Sequence, residues 1–272
     1  MNWSSNLPRG LAYVMLSRAE RLEDIYITGR FNPEKIKCVP EALIEAQRLD
    51  EISLTNLSTD VGHRDQDLRL SFVNIRSLRK NFEYLQTDQN MLEHEMIFVT
   101  ETWGDTYTYF NLEGYNCAFA NQGRGKGVGV FFKKDASIQK CEQDLFQFIK
   151  LRKETITVFC IYISKGCDFK KVVESLKHYG FNNKACLLGD FNFDANNNND
   201  LVDYMRSLNM SQIVKRATHL EGHILDQVYI PEEIIKSTSI KLQQNYYSDH
   251  DGISLSFKNS RFLNEESMDM TM

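Results

Sequence analysis

The sequence predicts an α/β protein in which packed mixed or antiparallel sheets carry helices on their outer sides. Three observations lead there. Short β-branched or aromatic runs bounded by Gly, Asn or Asp recur from residue 68 to residue 257. Several follow one another as hairpin-like neighbours. Helical spacing appears only in places, which excludes the regular alternation of a βαβ array.

The pattern changes near residue 65. Before it, RGLAYVMLSRAERL has helical spacing, EDIYITG reads as a short strand, and PEALIEAQRLDEI reads as a helix with Pro40 at its start. A polar, turn-rich stretch, STDVGHRDQD (residues 58–67), separates this helix–strand–helix unit from the rest as a linker. Strands are then expected at RLSFVNI, EMIFVTE, YNCAFA, GVGVFF, LFQFIKL, TITVFCIYI and ACLLGDF, and later at LDQVYI, SIKLQQ and GISLSF. DFKKVVESLKHYG and DLVDYMRSLN carry helical spacing, with His178 near a helix C-terminus where the dipole favours it. NNNND reads as a solvated loop, residues 259–272 as a polar tail, and no internal repeat is present.

Composition bounds the function. The chain has 272 residues, 42% of them hydrophobic and 25% charged, enough to bury a core. Its formal net charge of -5 supplies no global positive field for nucleic acid, although a local basic groove stays compatible with it. Six cysteines show neither CxxC nor zinc spacing, and Cys160 and Cys186 sit in apolar runs as buried thiols do; a reducing, intracellular setting is expected. The longest apolar runs are too short to span a bilayer, so no membrane association is expected, and MNWSSNLPRG lacks the build of a secretory signal.

Five strand-like runs end in polar residues that a strand does not need: Asn74, Glu101, Tyr162, the pair Asp190 and Asn192, and Ser248-Asp249-His250. Asp226 follows an apolar pair in HILDQVYI. Each alone could close a turn or decorate an edge. Together, carboxylates and carboxamide oxygens suit a hard cation such as Mg²⁺, a second carboxylate can orient water, and a histidine beside an aspartate can meet a phosphate oxygen. Such a set fits phosphoester hydrolysis. GRGKGVG (residues 123–129) lacks the phosphate-loop pattern and leads into a strand, so a hairpin entry is expected there. The remaining histidines form no ligand-spaced cluster; His219 and His223 are four apart, but Gly222 intervenes.

The order FVNIRSL, VTETW, GKGVGVFF, VFCIYIS, LLGDFN, THLEGHILDQV, YYSDHDGI resembles the endonuclease/exonuclease/phosphatase superfamily over residues 68–257. ETW and NxRSL lean towards its retrotransposon-like branch. The resemblance implies a four-layer α-β-β-α sandwich of two mixed sheets. It implies that Glu101 binds Mg²⁺ (or Mn²⁺), with Asn74 beside the metal and Asp249 near it. Asp190 would activate the attacking water, Asn192 would hold the phosphate or that water, and Tyr162 would contact the phosphate. His250, oriented by Asp226, would bond the phosphate, with Thr218 and Ser248 in support. Asp190 and Asn192, two apart, are expected to share one face of a strand. Arg76 stands where many relatives specialised for abasic sites carry an acid, so abasic-site repair is not expected, and the DNA-shaping loops are expected to be short.

RGLAYVMLSRAERLEDIYITGRF resembles the last motif of superfamily-1 helicases of Helitron-type transposons, with Arg18 as the arginine finger. Without a Walker A loop, residues 1–57 cannot use ATP alone. Leu11, Val14 and Leu16 would be apolar surface left by a lost partner. Helicase end plus nuclease is the pairing of a Helentron-type transposon protein. The expected activity is DNA nicking that leaves 3′-hydroxyl and 5′-phosphate ends, in the nucleus if chromosomal DNA is the target. The same motifs also suit inositol-phosphate, lipid or RNA phosphoesterases, or a catalytically idle transposon remnant.

Overall fold

A computed structural model describes residues 67–104, 110–120, 123–153, 156–245 and 247–258. The expected N-terminal unit with Arg18, all of the linker but Asp67, and the polar tail lie outside the described residues. The strands run β1 (Leu68–Asn74), β2 (Met96–Thr100), β3 (Asn116–Ala120), β4 (Val128–Phe132), β5 (Ser137–Glu142) and β6 (Phe146–Lys153). They continue with β7 (Ile156–Ile163), β8 (Ala185–Asp190), β9 (Met210–Gln212), β10 (Asp226–Pro231), β11 (Thr238–Gln243) and β12 (Gly252–Phe257). Helices α1 (Leu78–Thr87), α2 (Gln89–Leu92), α3 (Phe169–His178) and α4 (Asp200–Ser207) lie between them, with a 3-10 turn at Glu232–Ser237.

Two six-stranded sheets form, in the orders β11-β12-β1-β2-β4-β3 and β5-β6-β7-β8-β10-β9. Both are mixed: β1 runs parallel to β2 and β7 parallel to β8, while the other neighbours are antiparallel. Alternation along each strand builds the layers. In β7, Val158 and Cys160 face the interior between the sheets, while Phe159 and Ile161 face α3 and α4. In β1, Leu70 and Phe72 point inward and Val73 outward, towards Leu78 and Leu85 of α1. The result is the four-layer α-β-β-α sandwich, its central strands buried on both faces and therefore near-continuously apolar in sequence.

All ten expected strands form, as do both expected helices of this region, with His178 in the last turn of α3. Five elements escaped the sequence reading: α1, α2, β5, β9 and the 3-10 turn. Helix α1 carries Leu78, Phe82 and Leu85 at i, i+4 and i+7 behind an N-cap Ser77, whose hydroxyl accepts from the Lys80 amide. Strand β5 is an edge strand with one buried residue, Cys141, and β9 has three residues, so neither shows an apolar alternation. Cys160 and Cys186 are buried thiols, as expected, and burial pushes Cys186 up to about 12. Among the described residues no helix is long and apolar enough to cross a membrane.

Gly189 joins the fold to the site. It pairs with Ile161 across the parallel β7/β8 ladder, has φ +148°, and a Cβ there would lie 1.9 Å from the Ile161 carbonyl oxygen. Only glycine allows β8 to run so close just before Asp190. Gly189→Ala is expected to cost about 3 kcal/mol in urea denaturation, at the upper end of overpacking penalties; a loss below about 1 kcal/mol would show that the two strands can separate freely there.

Candidate active site

The interior stripe of the sandwich ends in polar residues. Cys160 leads to Tyr162, Leu188 leads to Asp190, and Val228 is preceded two residues earlier by Asp226, all on one face by the period of two. Register sets them in a single row, Tyr162 opposite Asp190 and Asp190 opposite Asp226. From the other sheet, the inward stripe Leu70, Phe72 ends in Asn74. Its side-chain amide donates to Asp190 Oδ2 at 2.8 Å and to Glu101 Oε1 at 3.1 Å, closing the gap between the sheets at this end.

Asn192 departs from the expectation. Strand β8 stops at Asp190, and Asn192 has φ +52°, so the pair is not two positions on one strand. The chain turns instead, the Asn192 amide donating to Asp190 Oδ1 at 3.0 Å. Its carboxamide then donates to the Ile163 carbonyl at 3.0 Å and lies 3.4 Å from Asp190 Oδ2. A short polar side chain that tolerates the left-handed conformation delivers the same convergence by a different route.

Behind Asp190, Asp226 is fully buried and accepts from His250 Nδ1 at 2.7 Å. Thr218 Oγ1 accepts the Asp226 amide at 3.0 Å, and Ser248 Oγ donates to the Asn74 carbonyl at 2.6 Å while accepting the His250 amide at 3.2 Å. Both supporting residues therefore fix the backbone beneath the site. Burial drives the Asp190 carboxyl well above the usual range, and the Asp226 charge drives it further. Burial alone would lower His250, but the hydrogen bond and charge of Asp226, with Asp190 and Asp249, raise it to about 9. Burial and the charges of Glu101 and Asp190 push Tyr162 up to about 12, which keeps its hydroxyl a donor.

Residues that the sequence did not assign to the site complete the rim. Arg76 Nη1 is ion-paired with Asp249 Oδ2, which also lies 3.4 Å from His219 Nε2. His219 packs its ring edge-on against His250, centroids 4.8 Å apart, through a backbone bridge between the two residues. No local pattern could have revealed this, because the partners are about thirty positions away. Trp103 Nε1 donates to Glu101 Oε2 at 3.1 Å, and Arg124 lies over the Trp103 ring. Arg124 comes from the 123–127 segment that leads into β4, the antiparallel partner of β3, which is the hairpin entry expected there.

Two side-chain groups among the described residues are close enough to share an ion: His219, Asp249 and His250, and Asp190, Asp226 and His250. The second is buried throughout and is better accounted for by proton sharing, since an ion there would displace the His250–Asp226 bond. Glu101 belongs to neither group. Its half-buried carboxylate, the Asn74 carboxamide oxygen and the buried Oδ1 of Asp249, which has no hydrogen bond, are nonetheless hard oxygen donors, the kind that fits a magnesium-class cation retaining several waters.

The architecture is that of the DNase I-like α/β sandwiches. The endonuclease domain of TRAS1, a telomere-specific non-LTR retrotransposon, superposes with a TM-score of 0.54 at 10% identity, covering 72% of this chain and 100% of that one. An AP endonuclease from Archaeoglobus fulgidus gives 0.54 at 14% identity over 70% of this chain and 99% of that one. The 3′ phosphatase NExo from Neisseria, bound to a product DNA hairpin, gives 0.53 at 14% identity over 70% and 99%. No family model matches the sequence, and no curated protein matches it.

The His250–Asp226 pair predicts a pH dependence. The folded imidazole holds its proton to about 9 against 6.5 when unfolded. Between those values the native state binds the extra proton, so this contribution to stability is complete below 6.5 and is lost as pH rises through about 9. In ¹⁵N NMR of the metal-free chain the His250 ring is expected to titrate at about 9, and in Asp226→Asn at a lower pH. An unchanged midpoint in the variant would show that Asp226 does not hold the proton in place.

Proposed function

We propose that this chain is a divalent-cation-dependent phosphodiesterase that nicks DNA. The observation that carries the reading is the convergence on Asp190: Asn74 from one sheet, Asn192 from the turn after β8, Tyr162 and Asp226 in register beside it, and His250 behind Asp226. The DNase I-like fold and the DNA nucleases and phosphatases that share it support this reading.

In the proposed reaction a water attacks phosphorus in line and passes a proton to Asp190 while the bond to the 3′ oxygen breaks. The departing 3′ alkoxide takes a proton from solvent water and Asp190 later returns its own, leaving 3′-hydroxyl and 5′-phosphate ends. A carboxylate raised towards neutrality is a better base than an ordinary one at working pH. Asn192 orients the water or a phosphate oxygen. His250 uses Nδ1 on Asp226, which leaves Nε2 to donate to a phosphate oxygen, and the neutral Tyr162 hydroxyl donates to another. A Mg²⁺ or Mn²⁺ ion held by Glu101, Asn74 and Asp249 would neutralise charge on the phosphate. Asn74 also keeps Glu101 and Asp190 in fixed relation.

Arg76 and Arg124 at the rim supply local positive charge to a chain that is acidic in total. The ETW and NIRSL motifs, with the helicase-like YVMLSRAERL, support a transposable-element origin of the Helentron type and a nuclear target. On this reading Arg18 belongs to a remnant that does not use ATP by itself.

The test is nicking of supercoiled plasmid with Mg²⁺ and with EDTA. Asp190→Ala and His250→Ala are expected to lose about 10²–10⁴-fold in rate each, the range for a positioned acid or base, with unchanged circular dichroism. Wild-type rates in both variants would refute the assignment. Intact plasmid from folded wild-type protein would refute DNA nicking itself and direct the assay to 3′-phosphate, RNA and inositol-phosphate substrates.

A further inference from the structure

We infer that Arg76 is a substrate-operated latch on Asp249: its guanidinium holds that carboxylate until a phosphodiester anion draws the guanidinium away and frees the carboxylate for a divalent cation. This rests on the phosphodiesterase reading and adds a coupling between the two ligands. The backbone at Arg76 is fixed. Its amide donates to Asn74 Oδ1 at 3.1 Å, its carbonyl accepts from Asn81 Nδ2 at 3.2 Å, and the neighbouring Ile75 and Ser77 amides bond to Thr100 and Glu101 carbonyls. Motion is thereby confined to the side chain, which is 51% exposed against 22% for Asp249.

The Asp249 carboxylate is divided in a telling way. Oδ2 is taken by Arg76 and faces His219 at 3.4 Å, while Oδ1 is buried without a hydrogen bond, its nearest cationic group being His250 Nε2 at 4.0 Å. A buried carboxylate oxygen without a hydrogen bond is costly, and a cation is the ligand that would relieve it. His219 remains beside Asp249 when Arg76 leaves, so release would not let the carboxylate wander. An exposed ion pair of this kind is weak, whereas a guanidinium meets a phosphate through two parallel N–H donors. Exchange of partner is therefore inexpensive.

A purely structural staple is the competing role for Arg76. That role is already filled: Ser248 Oγ bonds the Asn74 carbonyl at 2.6 Å and so ties the same two segments, while Tyr247 Oη, 3.0 Å from Asp88 Oδ2, ties the second of them to the end of α1. The guanidinium also presents its charge at the site mouth, where a staple needs none. Linkage makes the effect reciprocal: DNA raises cation affinity by the factor with which the cation raises DNA affinity.

The experiment measures Mn²⁺ binding to the full chain by electron paramagnetic resonance without nucleic acid, in wild type, Arg76→Gln, Arg76→Lys and Glu101→Gln. Arg76→Gln is expected to bind Mn²⁺ about 5- to 150-fold more tightly than wild type, the usual span of a coupling between two sites. Arg76→Lys, which keeps a charge but not the fork, is expected to fall between them, and it carries the test if the Gln variant melts early. Equal or weaker Mn²⁺ binding in Arg76→Gln, with Glu101→Gln still abolishing it, overturns the latch and leaves the phosphodiesterase reading intact. Wild-type protein with no Mn²⁺ site sensitive to Glu101→Gln overturns both. In EDTA, anisotropy of a labelled DNA duplex should show the salt slope of log K shallower by about 0.9 in Arg76→Gln, the loss of one phosphate contact; an unchanged slope overturns the exchange.

Discussion

The side-chain amide of Asn74 donates to carboxylates on two separate elements, Asp190 on the second sheet and Glu101 just past β2 on the first. Its oxygen accepts the Arg76 amide and its backbone carbonyl accepts Ser248. A carboxamide is the short side chain that offers two donors and an acceptor together. Hydrogen bonds to charged groups contribute about 1.5–3 kcal/mol each, and here two share one nitrogen in a water-poor setting. The relative placement of Asp190 and Glu101, across two sheets and 116 residues of chain between Asn74 and Asp190, follows from this group.

Charge explains the rest of the arrangement. Asp190, Asp226, Asp249 and Glu101 meet at one end of the sandwich, facing His250 and Arg76 as the nearest cations. Burial opposes the ionisation of Asp190, and the neighbouring Asp226 charge opposes it again. The protein answers by keeping His250 protonated against Asp226 and by lifting Asp190 so that it holds a proton more readily. What remains is a surplus of negative charge with hard oxygen donors, which a divalent cation would balance. Tyr162 completes the row as a neutral donor, because burial, and then the Glu101 and Asp190 charges, oppose its ionisation.

How far the sequence could be read depended on where each contact lies. The strand runs were legible because both faces of each central strand are buried, and the polar residues ending those runs stood out against them. Helix α1 was missed although Leu78, Phe82 and Leu85 carry helical spacing, because its charged surface residues masked it. Edge strand β5 carries too few buried residues to show a period. His219 and Arg76 gain meaning from Asp249, a partner distant in sequence and visible only once β1 and β12 are paired. Asn192 meets Asp190 by another route than its spacing suggests: a spacing of two implies a shared strand face, whereas the turn after Asp190 creates the contact.

That turn belongs to a wider feature. Of the seven non-glycine residues with positive φ among the described residues, five are Arg76, Ser77, Glu101, Trp103 and Asn192. Each such residue costs on the order of 1–3 kcal/mol and persists where surrounding bonds over-determine it. Here those bonds are visible: Ser77 N to Glu101 O, Trp103 N to Lys126 O, and the Asn192 amide on Asp190. The two sheets can deliver parallel rows of side chains, but they cannot aim Glu101 and Asn192 back across a strand end. Left-handed turns do so immediately after the strands stop, while the strands remain regular enough to pack. The site therefore combines a rigid floor from the sheets with a strained rim, and the half-exposed Arg76 side chain is the part of that rim with room to move.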